Sequence, residues 1–120
     1  MIVGRVSIRH AIVPLRVRGA AGEGDAEFFL DTGFAGFMTL PPDAVHKLNL
    51  IYMGPQRVSL AEGSRVLLDV YRLTVLWDGV EGDIEVLEMN GAPLIGMSLL
   101  DGYAVYLQAV EGGRVSIERL

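Results

Sequence analysis

The sequence contains no cysteine, which excludes disulfides and thiolate metal sites alike. It has two histidines, His10 and His46, and neither belongs to a spaced ligand cluster. No metal is therefore expected. No apolar run approaches the roughly 18–20 residues that cross a bilayer. The opening residues, Met1 to Arg9, alternate and carry charge early, where a secretion signal would need an unbroken apolar stretch and a small-residue cleavage site. A soluble, cytoplasmic protein with no membrane partner is expected. Clustered positive charge is also missing: ten Lys and Arg are scattered singly against fifteen Asp and Glu, for a formal net charge of −5. Binding nucleic acid needs a basic stripe to neutralise phosphates, so that partner class is not expected. Gly22-Glu23-Gly24 lacks the third glycine and the following helix of a dinucleotide loop, and no cofactor is expected.

What is present is a globular composition, 51% apolar and 21% charged over 120 residues, suited to one domain spanning 1–120. Short segments alternate apolar and polar residues between glycine-rich turns, the pattern of an all-β protein. Val3 to Arg9 and Leu15 to Arg18 alternate with the period of two that a half-buried strand requires. Gly19 to Asp25 reads as a flexible turn, and Ala26 to Leu30 as a strand buried on both faces. Val58 to Leu60 and Arg65 to Trp77 alternate around a break at Ala61-Glu62-Gly63-Ser64. Asp78-Gly79, Asn90-Gly91, Asp101-Gly102 and Gly112-Gly113 mark further turns, and Tyr103 to Leu107 with Arg114 to Ile117 reads as a closing hairpin. Helix is confined to Pro41-Pro42-Asp43 through Leu48, where proline suits a first turn, and to a short turn at Met97 to Leu100.

One place carries chemistry: Phe28-Phe29-Leu30-Asp31-Thr32-Gly33. An acidic residue directly after an apolar strand is costly unless it is paired, hydrogen-bonded or functional. Thr32 offers a hydroxyl to anchor the turn, and Gly33 lets another chain approach where a β-carbon would block it. By itself the tripeptide is also compatible with an ordinary polar turn. Leu94-Ile95-Gly96, far downstream and followed by Met97-Ser98-Leu99-Leu100, supplies a second motif.

Asp-Thr-Gly after an apolar strand, then Leu-Ile-Gly and a short helix, resembles the retropepsin-like aspartic peptidases. The resemblance runs from about Val13 to Leu120. It is particularly to the small bacterial and archaeal members, in which Asp-Thr-Gly-Phe precedes a Thr-Leu-Pro-Pro-like stretch, here within Phe37 to Pro42. It implies a mainly β fold: a closed orthogonal β-barrel of the acid-protease type with one or two short helices, in which Leu94-Ile95-Gly96 passes beneath the Asp-Thr-Gly loop. A single Asp-Thr-Gly implies a homodimer, with Asp31 of each copy forming the catalytic dyad across a two-fold axis.

Two carboxylates held together share one proton. One would act as base on a water while the other hydrogen-bonds the scissile carbonyl of a peptide or protein substrate. By the same resemblance, Thr32 would bond across the dimer and Gly33 would lie against the substrate backbone. Ala61, Glu62, Gly63 and Ser64 would form a flap over the peptide. The chain ends, Val3 to Arg9 and Arg114 to Leu120, would be edge strands that interleave with the mate's. One departure stands out. The residue after Asp-Thr-Gly, small in many retropepsins, is Phe34 here, and it leaves open a domain that binds peptides or dimerises without cleaving. Outside these motifs, His46 is expected to face solvent, His10 to lie in a turn, and Trp77 to pack in the core or an interface. Glu81, Asp83, Glu85 and Glu88 read as the wet face of a strand.

Overall fold

The computed structural model describes all 120 residues, and the fold is mainly β. In chain order it runs β1 (Ile2–Ser7), β2 (His10–Gly19), β3 (Gly22–Leu30), β4 (Met38–Leu40), α1 (Pro42–Leu48), β5 (Ile51–Ser59), β6 (Arg65–Trp77), β7 (Val80–Glu88), β8 (Leu94–Ile95), α2 (Met97–Leu100), β9 (Tyr103–Leu107) and β10 (Arg114–Arg119). The strands hydrogen-bond in the order β5-β6-β7-β4-β8-β3-β2-β1-β10-β9, and β2 pairs with β6 as well. That extra pairing, Arg16 to Arg18 against Leu76 to Thr74, makes a circuit of neighbours through β6, β7, β4, β8, β3 and β2.

Alternation along these strands turns one set of side chains inward. Val13, Leu15 and Val17 of β2 meet Phe28 of β3, Leu73 and Val75 of β6 and Val86 of β7 in a single apolar cluster. Tight turns fix the registers. Asp78 and Gly79 both have positive φ, 50° and 80°, the geometry of a two-residue hairpin turn. Helix α1 opens on Pro41 and Pro42, ends on Asn49 in the left-handed region, and is anchored by buried Val45. The β9–β10 hairpin forms as expected, in register from Val115 against Leu107 to Arg119 against Tyr103.

Four expectations are corrected. Gly19 to Asp25 is not a flexible turn: β2 runs to Gly19 and β3 starts at Gly22, and their pairing continues to the Gly19–Gly22 end. Strand β3 is not buried on both faces; Phe28 is fully buried while Glu27 is exposed and Phe29 and Leu30 are half-buried. His10 does not lie in the turn but opens β2, its ring stacked on Phe29 at 4.2 Å between centroids. The terminal strands are not edges, because β1 lies between β2 and β10, and β10 lies between β1 and β9. The free edges belong to β5 and β9.

The chain ends therefore build the core of their own subunit, where Val115 and Ile117 are wholly buried. Removing Val115 to Leu120 would empty that core rather than only loosen a dimer. Ile117→Ala is expected to destabilise the fold by about 2–5 kcal/mol, read as a lowered urea midpoint. A change within experimental error would contradict the packing.

Candidate active site

Strand β3 delivers Asp31 at the point where its apolar run ends. The Asp31 amide donates to the Ile95 carbonyl at 2.9 Å, continuing the parallel pairing of Phe29 with Leu94 and Leu30 with Ile95. The turn is then closed locally. Gly33 N–H donates to Asp31 Oδ1 at 2.9 Å, and Phe34 N–H donates to the Asp31 carbonyl at 3.1 Å. One carboxylate oxygen is thus held by the backbone, and the half-buried side chain forms no ion pair within the chain. Thr32 and Gly33 are exposed beside it. The carboxylate is therefore oriented by the backbone and has no cation partner within the chain.

The support beneath is a crossing of two segments. Leu94 and Ile95 lie between β3 and β4, parallel to the first and antiparallel to the second. Gly96 N–H donates to the Phe37 carbonyl at 3.0 Å and Met97 N–H to the Phe34 carbonyl at 2.8 Å. The Ser98 hydroxyl donates to the Ala35 carbonyl, tying α2 to the same loop. The approach needs glycine at 96. A β-carbon there would lie 2.2 Å from the Gly36 carbonyl oxygen and 2.7 Å from that of Phe34. The Phe34 ring fits this crossing as well, since a β-carbon on Gly96 would come within 2.5 Å of its Cδ2 and one on Gly36 within 2.6 Å of its Cζ. The ring is half-buried and packs over the two glycines.

Thr39 is a supporting residue that the sequence motif did not single out. It is 2% exposed, and its hydroxyl accepts the Leu94 N–H at 3.1 Å. Its sequence signals are its place at the head of the Thr-Leu-Pro-Pro-like stretch and a polar side chain in an otherwise apolar three-residue strand. Thr39→Val keeps the shape but leaves a buried donor without a partner. A loss of about 1–3 kcal/mol is expected, measured by urea denaturation. An unchanged midpoint would mean that the Leu94 N–H finds another acceptor.

Ala61, Glu62, Gly63 and Ser64 form the tip of the long β5–β6 hairpin. Leu60 N–H donates to the Ser64 carbonyl at 2.8 Å, and Gly63 N–H to the Leu60 carbonyl at 2.9 Å. Gly63 has φ 95°, a region open to glycine, and Ser64 donates to Glu62 within the tip. All four residues are exposed. The arms are paired from Ser59–Arg65 down to Ile51–Arg72, with a bulge between Tyr52 and Gly54. At the base, the Tyr52 hydroxyl donates to Asp69 at 3.1 Å.

His46 is exposed on α1, and Glu81, Asp83 and Glu85 are exposed along β7. Glu81 holds Arg18 through two hydrogen bonds, and Asp83 accepts from Thr74. Trp77 packs edge-on to Tyr103 at 5.6 Å. No helix is long and apolar enough to cross a membrane.

No family model matches the sequence, and no curated protein matches it. Solved structures share its fold, among them the two that follow. A retropepsin-like aspartic protease from Rickettsia conorii superposes with a TM-score of 0.51 at 18% identity, covering 98% of this chain and 93% of that one. A foamy viral protease-reverse transcriptase, solved in complex with an RNA/DNA hybrid, gives 0.54 at 22% identity over 78% of this chain. This chain spans 12% of the length of the viral one. The fold is retropepsin-like.

Proposed function

We propose that this retropepsin-like chain is an aspartic endopeptidase whose active unit is a homodimer, with Asp31 of each copy forming one dyad. The observation that carries the reading is the state of Asp31: backbone-oriented through Gly33 N–H, half-buried, free of any cation, and set on the Ile95 crossing. The reading takes residues 1–120 as one domain, its circuit of paired strands as the closed orthogonal barrel of the acid-protease type, and the cytoplasm as its location.

The reaction follows from two carboxylates sharing one proton. The ionised member takes a proton from water, whose oxygen attacks the scissile carbonyl. The protonated member hydrogen-bonds the carbonyl oxygen as negative charge develops there. Collapse of the tetrahedral intermediate breaks the C–N bond as the amine leaves with a proton from the dyad. In this reading the Thr32 hydroxyl links the two loops, a peptide backbone passes along Gly33, and the 61–64 tip closes as a flap. The residues need no metal or cofactor for these steps.

For the second copy, the free edge of β9 offers unpaired backbone groups. Val105, Tyr106 and Leu107 on it are exposed, and a groove of about 740 Å³ beside it is lined by Leu107, Val110, Ile8 and Arg9. Because β1 and β10 pair within the subunit, the reading puts the dimer contact on this edge rather than on the chain ends.

A peptide-library assay on protein of known oligomeric state tests the reading. Cleavage is expected with a bell-shaped pH profile whose two limbs belong to the dyad as a unit, unaffected by strong chelators. Loss of cleavage with a chelator and its return with a divalent ion would contradict the mechanism. A confirmed dimer that binds peptides but cuts none would favour the non-cleaving alternative.

A further inference from the structure

Between the loop that follows Asp31 and the base of the β5–β6 hairpin lies a cavity of about 170 Å³. Phe34, Phe37, Met38 and Val70 supply apolar walls, and Gln56 and Glu85 add polar groups. Glu85 is the only ionisable group in the lining, and it takes part in no ion pair and no side-chain hydrogen bond within the chain. Arg72 stands opposite it in the β6–β7 register. Arg72 lines a separate cavity with Asp83, however, and does not pair with Glu85.

An unpaired carboxylate beside aromatic and aliphatic walls matches a side chain with an apolar stem and a cationic end. Such side chains lay their methylenes on apolar surface and keep the charge at a polar rim. The carboxylate would accept a charge-assisted hydrogen bond, and the Gln56 amide oxygen could accept a second. One wall comes from the hairpin that ends in the flap and the other from Phe34, three residues past Asp31. A peptide held under that hairpin would present a side chain here. We infer that this cavity selects a lysine or arginine side chain of the bound peptide through Glu85. The inference rests on the peptidase reading for its position in the cleft, but its test does not require cleavage.

The test measures binding of short fluorescein-labelled peptides to the Asp31→Asn protein by anisotropy. Each peptide position is set in turn to Lys, Arg, norleucine or Glu. At one position, Lys and Arg are expected to bind roughly tenfold more tightly than norleucine, and the advantage should shrink with added salt. Glu85→Gln should remove most of that advantage, and Glu85→Lys should reverse it toward Glu, both at unchanged thermal stability. Equal binding of Lys and norleucine, a preference that survives Glu85→Gln, or no binding of any peptide would each overturn the inference. Wild-type cleavage of the same peptides separates the two claims. Cleavage without basic preference leaves the peptidase reading standing alone. Basic-selective binding without cleavage leaves the Glu85 site and removes the peptidase.

Discussion

Asp31→Asn is expected to reduce peptide hydrolysis by on the order of 10⁴-fold, the upper range for loss of an acid–base group. The asparagine keeps the volume, and its Oδ1 can still accept the Gly33 N–H that the aspartate accepts at 2.9 Å. It can neither take a proton from water nor share one with its mate. Stability should therefore change little, by about 0.5 kcal/mol or less, and the dimer should persist. Initial rates on the best library peptide, with sedimentation and thermal melting of the same sample, separate chemistry from folding. Hydrolysis retained at a tenth of the wild-type rate or more, judged against the acid–base range, would remove Asp31 from the reaction.

Gly96→Val should have the largest effect on the fold around the site. Its first side-chain carbon would fall 2.2 Å from the Gly36 oxygen and 2.7 Å from the Phe34 oxygen, both backbone atoms. Neither can swing aside as a flexible side chain could, so the crossing must open. The expected cost is about 1–3 kcal/mol or more. Activity should fall further than stability, because the Asp31 amide is held by Ile95, the neighbouring residue. The control is Gly24→Ala, where an added carbon meets nothing within 4 Å and no comparable loss is expected. Urea denaturation and cleavage rates of both variants make the comparison. If Gly96→Val melted and cut like Gly24→Ala, the crossing would not be what holds Asp31.

Local pattern made much of this architecture readable. The two-residue turn at Asp78-Gly79, the alternation of β6, the proline start of α1 and the β9–β10 hairpin are all signals of adjacent residues. Strand β5 was legible only from Val58, because Gly54 and Pro55 interrupt the alternation at a bulge, where Gly54 has φ 107°. Ile8 and Arg9 occupy positive φ, 49° and 64°, a conformation that no residue type there announces, since a β-branched isoleucine disfavours it. The long-range pairings were least visible. Nothing local says that β2 meets β6, or that β1 pairs with β10 and so withdraws both ends from the subunit edge.

The site divides the same way. Asp31, Gly33 and Leu94-Ile95-Gly96 stood out as motifs. Thr39 as a buried acceptor, the Phe34 ring over two glycines and the Glu85 cavity depend on contacts between residues distant in sequence. Phe34 is the instructive case. The sequence leaves open whether a bulky ring beside the aspartate narrows the cleft or points into the barrel; in the fold the ring lies against Gly36 and Gly96 and forms part of the support.

The central claim is that one active site needs two copies of Asp31, and subunit mixing tests it most directly. Wild-type and Asp31→Asn chains are combined in varying ratio at constant total concentration, allowed to exchange, and assayed. If the dyad is shared, mixed dimers are dead and activity follows the square of the wild-type fraction, about one quarter of full activity at an equal mixture. An activity that falls in simple proportion, about one half at that mixture, would mean that each chain works alone with its own Asp31.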